Sequence, residues 1–394
     1  MMPERQTAVP NSHALLQDRA AGLGRVALTA VVAAVYQLLI AVGLASLAAR
    51  IAGGLRREAR DARCLGQYTL GRKLGEGGNG VIFRATHATL ERPSAIKLLR
   101  TECVSLDAQA RFHREAQLTA KLSHPHTVRV LDYGETPDGL LYYAMELLDG
   151  ATLREIVESA GPQTPARVVH ILQHTALALG EAHSLGLVHR DVKPSNIMLA
   201  RQGGEFDVTK VLDFGLVKAT AVDAENLTQA NAVVGTPRYL SPEAIRAPKE
   251  VCPRSDLYSL GAVGYYLVTG RHAFDAETVV EVCAQHLTST PRPPTQVTGE
   301  PIPPELESII MTCLEKNPND RPASGRAMAE ALERVKVPRW SRDDAEAWWG
   351  QFGQRIDLGS RNEPATEQAP RAHAEDDRKV VRPTRNAVSV VQGW

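Results

Sequence analysis

The most informative segment of the chain is His189-Arg190-Asp191-Val192-Lys193-Pro194-Ser195-Asn196. It sets a carboxylate, an ammonium and a side-chain amide in one short loop. Phosphoryl transfer needs such groups together: one orients the attacking hydroxyl, one stabilises the transferring phosphoryl, and one binds metal. An apolar run follows, and then Asp213-Phe214-Gly215. A carboxylate there can bridge phosphate oxygens through Mg²⁺, a hard cation that prefers oxygen ligands.

Working upstream, Leu74–Ile82 reads LGEGGNGVI, with Gly75, Gly77 and Gly80 in GxGxxG spacing. Dinucleotide-binding folds share that spacing, but there the glycines follow a strand and open a helix. Here a strand-like Val81–Thr86 follows, which implies the turn of an antiparallel hairpin. A Gly-rich hairpin lets backbone N–H groups approach phosphate oxygens. Ala95-Ile96-Lys97 ends a second strand-like run, Ala95–Leu99, and Glu115 lies on a charged helical stretch around Asp107–Leu122. A Lys that holds phosphates needs a carboxylate to position its ammonium, although most such Lys and Glu residues are simply solvated. Beyond Leu153 helical patterns dominate, with Ile171, Leu172, Ala176, Leu179 and Ala182 near helical spacing. A strand-rich half followed by a larger helix-rich half implies an α+β, two-lobed molecule.

These motifs resemble the eukaryotic-like, bacterial-type serine/threonine protein kinase family. The resemblance implies a bilobal fold with a small antiparallel β-rich N-lobe and a large helical C-lobe over residues 65–335. It implies ATP and Mg²⁺ as cofactors and Ser/Thr hydroxyls of proteins as acceptors. By the same resemblance Leu74, Gly75, Glu76, Gly77, Gly78, Asn79, Gly80 and Ile82 look like the loop over the phosphates. Lys97 looks like the strand Lys and Glu115 like its partner. Ala95 and Met145 border the nucleotide, Met145 as the gatekeeper, and Glu146–Leu148 resemble the adenine-contacting hinge. Asp191 resembles the catalytic base and Lys193 the γ-phosphate contact, while Asn196 and Asp213 resemble the Mg²⁺ ligands. Gly235–Glu243 resembles the end of the activation segment, with Ser241 in place of the family's usual Ala. Asp256 and Arg321 match structural positions, with Arg321 expected to pair with Glu243. Lys193 and Thr236 fit the serine/threonine pattern. A pseudokinase scaffold, the competing class, would lack an equivalent of Lys97, Asp191 or Asp213, and all three are present. A small-molecule phosphotransferase would lack the GTPRYLSPE segment.

Composition sets outer bounds. Lys+Arg and Asp+Glu are equal at 45 each over 394 residues, so no global field points to nucleic acid. The 5 cysteines form no CxxC or zinc-ligand spacing, which fits a reducing compartment.

The ends lie outside the resemblance. Residues 1–25 read as a short polar segment. No residue from Val26 to Ala49 is charged, and as a helix this stretch reaches about 36 Å against a hydrocarbon core of about 30 Å. It is expected to be a single transmembrane helix, with a buried soluble helix, a peripheral helix and a cleaved signal peptide as competing readings. Residues 50–64 form a basic linker with Arg50, Arg56, Arg57, Arg60 and Arg63, suited to anionic lipid headgroups. The charge bias predicts the kinase on the cytoplasmic side. In residues 336–394 a short amphipathic helix carrying Trp340, Trp348 and Trp349 precedes a polar tail expected to be disordered beyond about Asp357. Two regulatory positions follow from the resemblance: Arg190, and an activation-loop phosphate on Thr228 rather than Thr220. Self-phosphorylation within a homodimer is a further expectation.

Overall fold

Alternation in the first half of the domain builds one antiparallel sheet. The computed structural model describes residues 64–77, 80–99, 106–136, 139–214 and 237–355. The apolar stretch 26–49 expected to span a membrane, nearly all of the basic linker, Gly78, Asn79, Thr220, Thr228, Thr236 and the tail past 355 lie outside the described residues. Among the described residues no helix is long and apolar enough to cross a membrane.

The small lobe holds β1 (Cys64–Leu65), β2 (Tyr68–Gly77), β3 (Gly80–His87), β4 (Pro93–Leu98), α1 (Leu106–Thr119), β5 (Val130–Glu135) and β6 (Leu141–Glu146). The sheet order is β1-β2-β3-β4-β6-β5. β2 and β3 form the glycine hairpin, closing at Gly77 opposite Gly80. Gly80 has φ 139°, and a Cβ there would lie 2.0 Å from the Leu98 carbonyl oxygen, so only glycine fits.

The large lobe begins with β7 (Gly150–Thr152), α2 (Leu153–Ala160) and α3 (Pro165–Ser184). Thr152 and Glu155 close a capping box on α2. Ile171, Leu172, Ala176, Leu179 and Ala182 are all fully buried, so the helical spacing read from the sequence is the core face of α3. β8 (Ile197–Gln202) and β9 (Glu205–Val211) join β7 in a small antiparallel sheet. Then come α4 (Pro242–Arg246), α5 (Pro253–Thr269), α6 (Val279–Thr288), α7 (Pro294–Thr298), α8 (Pro304–Cys313), α9 (Gly325–Glu333) and α10 (Arg342–Phe352).

Four histidines stack behind β9. The His126 and His174 rings lie 3.9 Å apart and nearly parallel, His170 sits 4.2 Å from His174, and His124 sits 5.2 Å from His126.

α10 corrects two sequence expectations. Trp340 precedes the helix, because Ser341 caps it with Asp344. The core also runs past Val335, the sequence-based end of the domain: Trp349 is 5% exposed and belongs to the large-lobe core. The reason is a buried ion pair. Asp207, at the start of β9, accepts from Arg167 Nε at 2.8 Å and Nη2 at 2.9 Å. Trp340 Nε1 donates to Oδ2 at 2.9 Å and Trp349 Nε1 to Oδ1 at 2.7 Å. The Trp348 ring lies 3.7 Å from the Arg167 guanidinium carbon. Burial of a charge is tolerable only when its lone pairs are filled, and the indoles fill them. Trp349→Phe is therefore expected to lower unfolding free energy by about 1–3 kcal/mol, read from urea denaturation midpoints. Deletion of residues 336–355 should lower it further.

Candidate active site

The site forms where the sheet of the small lobe meets the loop after α3. On the sheet, Lys97 lies opposite Tyr143 and Ala95 opposite Met145, so all four share one face. Ala95 and Met145 are buried, and Leu74, Ile82, Leu148 and Leu212 pack against their cluster. Together they would line an apolar recess suited to a planar ring. Glu146, expected in the hinge, turns its carboxylate away from that recess. It accepts from Arg129 N–H at 2.9 Å, Lys210 Nζ at 2.9 Å and Gln202 Nε2 at 3.1 Å. Its side chain fastens the hinge to β8 and β9.

Lys97 is buried, and its ammonium pairs with Asp213 Oδ2 at 2.7 Å. Glu115, the partner expected from the sequence, lies on α1. The Asp213 carboxylate sits in a desolvated site beside Lys97, and an ammonium pairs with the carboxylate that burial leaves most in need of charge. Burial alone would raise the Asp213 carboxyl. The Lys97 ammonium and the Tyr143 hydroxyl outweigh it and hold the group below the usual carboxylate range.

The loop 189–196 is pinned from below by α5. Asp256 accepts from His189 N–H at 2.8 Å, Arg190 N–H at 2.9 Å and His183 Nε2 at 2.7 Å. Arg190 takes φ 63°, a conformation that L-residues avoid. Within the loop, Lys193 Nζ donates to Asp191 Oδ2 at 2.8 Å. Asn196 Nδ2 donates to Asp191 O at 2.9 Å and Oδ2 at 3.0 Å. The Leu212 N–H donates to Asn196 O at 2.8 Å, which brings Asn196 beside Asp213. His189 Nε2 donates to Leu212 O at 2.8 Å, and Phe214 packs against its ring. The amide oxygen and the Asp213 carboxylate form a hard-oxygen donor pair, a chemistry that fits Mg²⁺.

A second pinned segment lies close by. Arg321 forms a bidentate pair with Glu243 at 2.7 and 2.9 Å, as the sequence led one to expect. Ser241, in place of the family's Ala, caps α4 by accepting from Ala244 N–H.

The sequence pattern of the protein kinase domain matches residues 68–334. The chain belongs to the protein kinase domain family. The kinase chain is 41% identical over 283 residues to serine/threonine-protein kinase pkn3 of Myxococcus xanthus, covering 71% of this chain and 52% of that protein. It is 41% identical over 273 residues to serine/threonine-protein kinase PknB of Mycolicibacterium smegmatis, covering 68% of this chain and 43% of the other. It thus spans about half the length of the curated relatives it matches. The solved PknI kinase domain of Mycobacterium tuberculosis superposes with a TM-score of 0.53 at 26% identity, covering 68% of this kinase chain and 96% of that domain.

The structure brings together Asp191, Lys193, Asn196, Lys97 and Asp213. It puts Leu74, Ile82, Ala95, Met145 and Leu148 around the recess, with Gly75, Glu76 and Gly77 on β2 leading to the hairpin turn. Sequence reasoning missed Tyr143 and Lys210. Tyr143 had a signal, since a residue two before Met145 on a strand faces the same side.

Glu243 gives a pH test. Burial would raise its carboxyl, but Arg321 and Ser255 lower it below the ordinary value. A depressed folded value contributes stability above the unfolded value, near pH 4.3. That stability is lost as pH falls through the folded value. Glu243→Gln should cost about 3–5 kcal/mol at neutral pH, and the gap to wild type should narrow below about pH 4, as measured by urea melts across pH.

Proposed function

We propose that the chain is an ATP-dependent protein serine/threonine kinase that phosphorylates protein substrates and itself. The observation that carries this reading is the Asp191–Lys193–Asn196 constellation set against Asp213 beside the apolar recess. Adenine would lie between Ala95, Met145 and Leu148, and Lys97 would hold phosphate oxygens. The acceptor hydroxyl oxygen bonds to the γ-phosphorus while the bond from that phosphorus to the bridging oxygen of ATP breaks. The hydroxyl proton passes to the Asp191 carboxylate. Lys193, within 2.8 Å of that carboxylate, meets the charge on the transferring group. Asn196 and Asp213 would hold Mg²⁺, which when bound neutralises phosphate charge.

The sequence supports finer parts of the proposal. Residues 26–49 anchor the kinase as a single transmembrane helix with the catalytic domain in the cytoplasm. The arginines of residues 50–64 face anionic lipid. A phosphate on Thr228 pairs with Arg190, whose side chain is exposed and whose guanidinium suits phosphate geometry. Two copies exchange phosphate in a dimer. Membrane fractions should keep the protein through salt and carbonate washes; release by salt alone overturns the anchor. Mass spectrometry of active protein should find phosphate on Thr228.

Transfer of labelled phosphate from ATP to a generic protein tests the activity itself. Asp191→Asn and Asp213→Asn should each lower turnover by about a hundredfold or more while leaving the fold intact. Wild-type turnover in Asp191→Asn overturns the assignment, and label mainly on tyrosine overturns the specificity.

A further inference from the structure

Tyr143 touches the centre of the site, yet no part of the mechanism above uses it. It is 2% exposed and lies directly opposite Lys97 in the β4–β6 pairing. Its ring belongs to the packed cluster of Ala95, Leu99, Val128 and Met145, so the strand and the core fix its position. A buried phenol finds a partner for its hydroxyl, and this one donates to Asp213 Oδ1. Lys97 Nζ takes the other oxygen, Oδ2, at 2.7 Å. The carboxylate is thus held at both oxygens by protein donors, one neutral and one cationic.

The other end of the hydrogen bond is equally fixed. Asp213 has φ 52°, its preceding carbonyl is bonded by His189, and Phe214 beside it is buried. The contact breaks through rotation of the Asp213 side chain or of the phenolic O–H, since both backbones are fixed. A divalent cation approaching from the Asn196 side competes with the phenol for that carboxylate.

We propose that Tyr143 is a positioning residue of the phosphoryl-transfer site, whose hydroxyl sets how readily the Asp213 carboxylate accepts a divalent cation. The proposal rests on the kinase reading above. Lys97 leaves the carboxylate when it turns to phosphate oxygens, whereas the phenol, whose hydroxyl bonds Asp213 among the described residues, keeps its hold. The phenol therefore raises the Mg²⁺ concentration that nucleotide binding demands.

Binding of a fluorescent ADP analogue, titrated with Mg²⁺ and repeated in EDTA, tests this without reference to turnover. The Mg²⁺ midpoint of Tyr143→Phe is read relative to that variant's own affinity in EDTA. The substitution should lower the half-saturating Mg²⁺ about fivefold, the effect of one hydrogen bond of ordinary net strength. Tyr143→Met also removes the donor and must move the midpoint the same way, which keeps the test decisive if the first variant folds poorly. An unchanged Mg²⁺ midpoint overturns the proposal. So does an equal loss of affinity with and without Mg²⁺, which would mean that the ring serves packing alone. Asp213→Asn should abolish the Mg²⁺ dependence. Should the wild-type protein bind no nucleotide at any Mg²⁺ concentration, the kinase reading itself fails, whatever the tyrosine does.

Discussion

The Asp256 carboxylate, buried on α5, accepts two successive backbone N–H groups, those of His189 and Arg190, together with the His183 ring. The rest of the site depends on that grip. Arg190 at φ 63° costs on the order of 1–2 kcal/mol, and a chain takes such a shape only where its surroundings over-determine it. With the bend fixed, Asp191, Lys193 and Asn196 follow in register. The grip then passes onward, because the His189 ring holds the Leu212 carbonyl and so fixes the approach to Asp213.

β9 carries this order across the molecule. At its start Asp207 receives Arg167 and two indoles. Near its end Lys210 reaches Glu146 at the end of β6, which ties the large lobe to the small one. Just beyond its end lies Asp213. The Thr127–Val211 bridge adds a backbone link from the segment before β5. A displacement anywhere along this strand is felt at Glu146 and at Asp213, because packed interiors transmit strain.

The loop 189–196, the glycine hairpin and the core face of α3 were legible in the sequence. Their chemistry or period fixes residue types at short spacing, and local spacing is what a sequence displays. The partner of Lys97 was not legible, because burial and distance decide which of two carboxylates takes the ammonium. The role of the Glu146 side chain was hidden for a related reason: its partner Lys210 lies on another sheet, 64 positions away. The docking of α10 hangs on Trp349 meeting Asp207 over a separation of 142, which no local pattern encodes. The tryptophans suggested an amphipathic helix, but not what it would cover.

The stacked histidines behind β9 make the protein sensitive to mild acid. Burial pushes His126 down to about 4 and His174 to about 3. The His170 ring and Arg339 also disfavour charge on His174, while Glu181 beside His124, the Thr209 carbonyl on His126 and Asp207 beside His170 work the other way without outweighing burial. In the unfolded chain each imidazole takes up a proton near pH 6.5, which the folded stack refuses until far lower pH. Proton binding therefore pulls toward the unfolded state as pH drops below about 6.5. The stack acts as ordinary aromatic packing at neutral pH and becomes a proton-linked weak point well before most carboxylates begin to titrate.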